Sequence, residues 1–212
     1  MAKLKKLANT KYFMTILWIL ILIAVWEVFA VIVAHTKRTP ENILPHLGGI
    51  LKSVFSQKSI NGGQTAFQMV MTNAAATLSR AGIGYLFGIV CGFALALLMS
   101  LWKGIEKIAF PYLMLIQMIP ILGMAPIINA LTGDINKSRI IIAAILTFYP
   151  VATNTLAGFK SVIKEKHELM YSYASGKIRV YTKLMLPSCV PYFFTGLKIS
   201  APMAITASIL VD

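Results

Sequence analysis

Between Tyr12 and Ala34 the chain is apolar at every position except Thr15 and Glu27, and a run of this length can cross the hydrocarbon core as a helix. Inside a bilayer every backbone N–H and C=O must be paired within the protein, which restricts a spanning segment to a helix or a closed barrel. Apolar segments long enough to span recur within Thr65 to Leu101, Ile108 to Leu131, Arg139 to Gly158 and Cys189 to Asp212. The predicted fold is therefore an all-α membrane protein of about five transmembrane helices. Hydrophobic residues make up 58% of the chain, too many for a soluble domain of 212 residues. The net charge of +13 reflects scarce acids, since charged residues are only 13%, and the Lys and Arg residues fall in short loops. No nucleic-acid surface is indicated. The first run is too long for a signal peptide and lacks a small-residue cleavage site after it.

Residues 1–64 are read as an N-terminal transmembrane helix and an external amphipathic segment, and residues 65–212 as the main transmembrane domain. The polar stretch His35 to Gln64 contains the breakers Pro40, Pro45, Gly48-Gly49 and Gly62-Gly63, and Ile43 to Phe55 within it is amphipathic enough to lie on a membrane surface. Glu27 is an acid within a span. Such a residue is functional or paired, or, near a helix end, reaches the interface. His35 and His46 lack ligand-spaced partners, and Cys91 and Cys189 are far apart in apolar surroundings, so neither a metal site nor a disulfide framework is expected.

In the second span Gly84, Gly88, Gly92, Ala96 and Ser100 recur every four residues. Small residues at this spacing allow a neighbouring helix to approach closely, which matters where lipid gives helices no hydrophobic reason to associate. The third span carries Pro111, Pro120, Gly123 and Pro126. Proline removes a backbone donor, and a broken helix in a membrane commonly lines a pathway. Gln117 and Asn129 are the polar groups expected near that pathway, with Pro120 at the break; kinked packing alone is the competing reading.

Glu168 to Pro187 is a polar, basic island between apolar segments. Leu169, Met170, Tyr173 and Ala174 fall at helical spacing, Gly176 is a candidate left-handed stop, and a second short helix fits Lys177 to Leu186 before Pro187 ends it. Two short helices bearing Lys177, Arg179 and Lys183 suit a membrane-surface device that meets a soluble partner.

This island resembles the EAA loop in the permease subunit of binding-protein-dependent ABC importers. Aligned on Leu186-Pro187, the family's Ile falls on Leu184, its Gly on Ala174, and its Glu-Ala-Ala on Glu168-Leu169-Met170. The glutamate, the Leu-Pro and the spacing are kept, while both alanines and the glycine differ. Gln117-Met-Ile-Pro120 with Ala125-Pro126 resembles the family's third span. Phe148-Tyr-Pro150, Asn154 to Gly158, Pro191-Tyr192 and Thr195 to Lys198 also resemble its pattern, so the similarity covers roughly Thr77 to Asp212. The subgroup most resembled imports nitrate, sulfonates, taurine or pyrimidine precursors of thiamine.

The resemblance implies a type I importer permease fold that dimerises and lies in the bacterial cell membrane. It implies an ATPase subunit docked at the Glu168 loop, an extracytoplasmic solute-binding protein, and alternating access driven by ATP in the partner. The chain has no G-x-x-x-x-G-K-[ST] phosphate loop, so no nucleotide or other cofactor is expected in it, nor an enzymatic activity of its own. With the N-terminus in the cytoplasm, inner segments hold twelve Lys and Arg residues and outer ones seven, which favours that orientation. Family members usually continue past the position of Asp212 into another span, so the expectation is a fragment or a truncated product lacking the final helix. Such a truncated, non-transporting membrane fragment is one rival reading. A secondary transporter is the other; it would need intramembrane ionisable groups, for which only Glu27, Lys198 and Asp212 are near candidates.

Overall fold

In the computed structural model, which describes residues 2–36, 43–56, 59–61 and 63–210, the apolar segments are helices. Asp212, Pro40, Gly62 and the cations Lys37, Arg38 and Lys58 lie outside the described residues. The chain divides into two compact units, Met1–Thr72 and Asn73–Asp212.

The first unit opens with α1 (Ala2–Thr36), which begins well before the apolar run. It is apolar all round, with only 6% of its most apolar stretch buried, as suits a helix surrounded by lipid. Near its end Glu27 accepts two hydrogen bonds, from His46 Nδ1 at 2.8 Å and from the Leu47 amide at 2.8 Å. The carboxylate thus caps α2 (Leu47–Val54), where unpaired amides and the helix dipole favour negative charge. The Trp26 indole donates to the Pro45 carbonyl at 3.1 Å and fixes the same corner. Glu27 is therefore a paired acid. The surface helix is shorter than the Ile43–Phe55 expected, because Pro45 and His46 are needed for the turn into it.

A small hairpin of β1 (Ser59–Asn61) and β2 (Gln64–Thr65) follows, with Gly63 at φ +85°. It leads into α3 (Ala66–Leu101) through a capping box. The Thr65 hydroxyl accepts from the Gln68 amide, and the Gln68 side chain accepts from the Thr65 amide.

In the second unit α3 runs against α6 (Ile135–Lys160) along the small-residue stripe. Gly84, Gly88, Gly92 and Ala96 are buried. A methyl group at Gly84 would lie 2.5 Å from the Ile140 carbonyl, and one at Gly92 would lie 2.8 Å from that of Phe148. The stripe continues to Ser100, which is half-buried.

Between α3 and α6 the chain forms α4 (Lys103–Met118), a 3₁₀ turn (Ile121–Met124) and α5 (Ala125–Thr132). The axes before and after Ile119-Pro120 differ by 76°. Pro120 has no N–H to continue the α4 ladder, and Ile119 turns extended ahead of it. Pro111, by contrast, is accommodated inside α4.

The last helix, α9 (Leu186–Leu210), packs on α6 through two glycines that carry the family resemblance in the sequence but were not expected to pack helices. Gly158 lies against Cys189 and Tyr192, and Gly196 against Pro150 and Val151. Phe93 of α3 meets Phe193 of α9 edge-on at 5.4 Å, and Tyr85 donates to the Leu197 carbonyl at 3.0 Å.

Among the described residues α1, α3 and α6 qualify as spans by length and composition, and the bent α4–α5 pair adds a fourth if its two halves count as one broken span. The fifth segment expected is α9, whose 25 residues are long enough to cross, though Lys198 and three prolines lower its apolar character.

Two expectations for the segment before α9 are corrected. Pro187 does not end a helix that began at Lys177. Instead α8 (Lys177–Val180) passes through a π-helical turn (Tyr181–Met185) directly into α9. The Leu186 amide reaches back five residues to the Tyr181 carbonyl. This widened turn makes room for the Pro187 ring, which in a regular helix would strike the carbonyl four residues back. Nor is Gly176 the left-handed stop: its φ is −67°, and it is Ala174 that has φ +50°.

Candidate functional site

Two places in the second unit gather the residues that the sequence singles out. The first is the island after α6, which forms α7 (Lys164–Ser172) and α8. Helix α7 closes with a Schellman motif. The Ala174 amide donates to the Tyr171 carbonyl at 2.9 Å, and the Ser175 amide to that of Met170 at 3.2 Å. The motif requires a left-handed residue at the position Ala174 occupies, usually a glycine. The sequence alignment placed the family's glycine at this same position.

The island has an anchored side and a free side. Ser175, Val180 and Met185 are buried, and Met170, Tyr181, Leu184 and Leu186 pack around the core of Met99, Leu113, Phe159 and Cys189. Tyr181 donates to the Ser100 carbonyl at 2.7 Å, which ties the π turn after α8 to the end of α3. On the free side Leu169, Tyr171, Tyr173 and Ile178 are exposed, Ile178 at 81%. Glu168 is also exposed and pairs with Lys164 one turn earlier, at 3.3 Å. The single apolar face expected from Leu169, Met170, Tyr173 and Ala174 is thus divided: Met170 faces the core, and Tyr173 and Ala174 lie past the helix end. At the foot of this end Lys160 pairs with Glu106 and joins α6 to α4.

The second place is a cavity of about 420 Å³ beside the α4–α5 break, between α4, α6 and α9. Gln117, Tyr149, Thr153 and Asn154 supply its polar groups, and Ile121, Ile145, Ile199 and Met203 are among its apolar walls. Gln117 has no hydrogen-bond partner among the described residues, whereas the Asn154 side chain donates to the Pro150 carbonyl at 2.8 Å. Pro120 stands at the break itself. Asn129 is elsewhere: it accepts from Ser138 at 3.3 Å, in a cluster with Thr132 that fixes the α5–α6 turn. Tyr149, Thr153 and Asn154 were not singled out as pathway residues. Their signal is the spacing around Pro150, which puts all three on the side of α6 where the proline interrupts the ladder.

Residues 84–212 match the family of binding-protein-dependent transport system inner membrane components. The chain belongs to this family. It is a multi-pass permease subunit of an ABC importer, with the all-α type I permease fold. Among its relatives is a formylaminopyrimidine transport permease protein of Halalkalibacterium halodurans, 31% identical over 89% of this chain and 70% of the relative. A nitrate import permease protein of Leptolyngbya laminosa is 26% identical over 71% of this chain and 54% of its own length. A riboflavin transport system permease protein of Chloroflexus aurantiacus is 26% identical over 51% of this chain and 40% of the relative. Family membership sets aside the secondary-transporter reading.

Proposed function

We propose that this permease forms the translocation pathway for a small solute of the nitrate, sulfonate, taurine or pyrimidine-precursor kind, and couples to cytoplasmic ATPase subunits through the Glu168–Pro187 loop. The observation that carries this reading is the two-sided build of the loop. Its inner side is bonded and packed to α3 and the core, while Leu169, Tyr171, Tyr173 and Ile178 are left exposed beside Glu168. Exposed aromatic and aliphatic side chains on a rigid support suit a groove in a soluble partner. Movement of such a partner would be passed to α3 through Tyr181 and to α9 through the unbroken π turn.

In this reading the N-terminus is cytoplasmic, a second permease copy completes the pathway, and an extracytoplasmic solute-binding protein delivers the solute. The nucleotide is bound and hydrolysed by the partner. The test is retention of the ATPase on the purified permease, compared with a Leu169→Asp, Tyr173→Asp double variant. The parent is expected to retain the ATPase and the variant to lose it at unchanged membrane insertion. Equal retention by both sinks the docking role. Reporter fusions at Gly176 and Asn61 check the orientation: cytoplasmic and external signals are expected, and an external Gly176 overturns it.

A further inference from the structure

We infer that Lys198 holds a fixed positive charge in the wall of the translocation pathway at mid-depth, where it bars small cations. The inference rests on the permease reading and adds to it a residue that governs passage by charge.

Depth comes first. Lys198 is twelve residues from Leu186 and twelve from Leu210, so it stands at the middle of α9, about 18 Å along the axis from either end. The hydrocarbon core is about 30 Å thick, and the short stem of a lysine does not carry its ammonium from the middle to either surface. The neighbouring helix gives the same depth: the Leu197 carbonyl accepts from Tyr85, which lies in the middle third of α3. Lys198 is nevertheless exposed. An ammonium facing hydrocarbon is costly, and inside a membrane protein it meets an acid or water. Among the described residues no carboxylate pairs with it. Glu106 and Asp134 stand at the starts of α4 and α6, and Glu165 and Glu168 lie in α7. Water is left.

The face around Lys198 agrees. Thr195, Lys198, Pro202 and Thr206, spaced three and four residues apart, make one exposed strip. On one flank Ile199 and Met203 line the cavity beside the α4–α5 break. On the other, Phe194 and Ile205 are exposed apolar side chains suited to lipid. The threonines alone would not decide, because each hydroxyl bonds a carbonyl of its own helix, Thr195 to Pro191 at 3.0 Å and Thr206 to Pro202 at 2.9 Å. The lysine between them decides. A wetted strip beside the cavity extends the pathway along α9, and a fixed ammonium in such a passage repels the cations that a membrane potential would otherwise drive through it.

The test measures water and charge together, on the full chain in membrane fragments open at both faces. Thr195→Cys is placed in a Cys91→Ala background, since Cys91 is exposed, and the reaction of the buried Cys189 is subtracted. Two membrane-impermeant methanethiosulfonates are compared, one carrying an anionic sulfonate and one a cationic trimethylammonium. Each rate is divided by the same reagent's rate with free cysteine. Thr195 and Lys198 are neighbours on the helix surface, so the anionic reagent is expected to be favoured about tenfold. Lys198→Met is expected to bring the ratio close to one, and Phe194→Cys to react with neither reagent. An unreactive Thr195→Cys, or a Phe194→Cys that reacts as fast, overturns the pathway wall. A ratio that Lys198→Met leaves unchanged overturns the role of the charge. ATPase retention on the same membranes reads the permease proposal separately: retained ATPase with an unreactive Thr195→Cys sinks only this inference, and an ATPase that the parent does not retain sinks the coupling reading.

Discussion

The phenolic hydroxyl of Tyr181 lies 2.7 Å from the backbone carbonyl of Ser100, and the two residues join the π turn before α9 to the last turn of α3. The contact gives the exposed island a fixed seat on the helix that carries the glycine stripe. Tyr181→Phe keeps the ring and removes the bond. It is expected to lower stability by about 1 kcal/mol, the usual net worth of one hydrogen bond. Thermal unfolding of the purified permease measures this, and an unchanged midpoint would mean the bond is replaced by solvent.

Gly88 gives the sharpest packing test. A methyl group there would lie 2.5 Å from Thr147 Cβ and 2.6 Å from the Ala144 carbonyl, so α3 and α6 would have to separate. Gly88→Ala is expected to cost about 1–3 kcal/mol as overpacking, and Gly88→Leu to abolish assembly. Gly82, on the same helix, has nothing within 4 Å of the added methyl, and Gly82→Ala is expected to be neutral or stabilising by up to about 1 kcal/mol. Expression and monodispersity of the three variants read the difference. Equal behaviour of Gly82→Ala and Gly88→Leu would place the stripe against lipid.

Ala174 holds a conformation that costs an L-residue roughly 1–2 kcal/mol. Ala174→Gly is therefore expected to stabilise the closure of α7 by about 1 kcal/mol. Hydrogen exchange at the Ala174 and Ser175 amides, the two donors of the motif, reports it directly. Gly176 has ordinary extended dihedrals and open space around it, so Gly176→Ala is expected to change these exchange rates little.

The spans, the break at Pro120 and the stripe were legible because each follows from local chemistry: apolar length, a missing donor, a missing side chain. The loop was legible in place and less so in form. Gly176 attracted the stop because glycine is the usual left-handed residue, but the motif is set by where the α7 hydrogen bonds run out, and that is at Ala174. Pro187 read as a terminator because a regular helix cannot pass it; the π turn that admits it has no strong sequence mark. Gln117 could be found as a polar residue beside a proline. Asn129 looked equivalent, and only the fold shows it bonded to Ser138. Gly158 and Gly196 stood only in the family resemblance, and their packing role was not legible because a close crossing of two helices needs just one glycine on each, which leaves no periodic pattern.

Glu168 carries the last test. Its carboxylate is exposed and its pairing with Lys164 is a surface i,i+4 contact, so Glu168→Lys removes little from the fold itself. Membrane insertion and the unfolding midpoint are expected to stay near those of the parent. In the proposed complex the same carboxylate would be covered by the ATPase and meet a polar or basic group there. Reversing a desolvated charge in an interface typically costs ~2–5 kcal/mol, which is at least a tenfold loss of affinity. The expected result is a permease that inserts normally and either fails to retain the ATPase or lets it hydrolyse ATP without uptake. Salt separates two sources of any loss: for a rim charge, screening weakens both the parent's attraction and the variant's repulsion and so shrinks the difference, whereas a buried contact keeps the parent's advantage at high salt. A Glu168→Lys permease that binds the ATPase and supports uptake like the parent would leave Leu169, Tyr171, Tyr173 and Ile178 as an exposed apolar surface with some other partner.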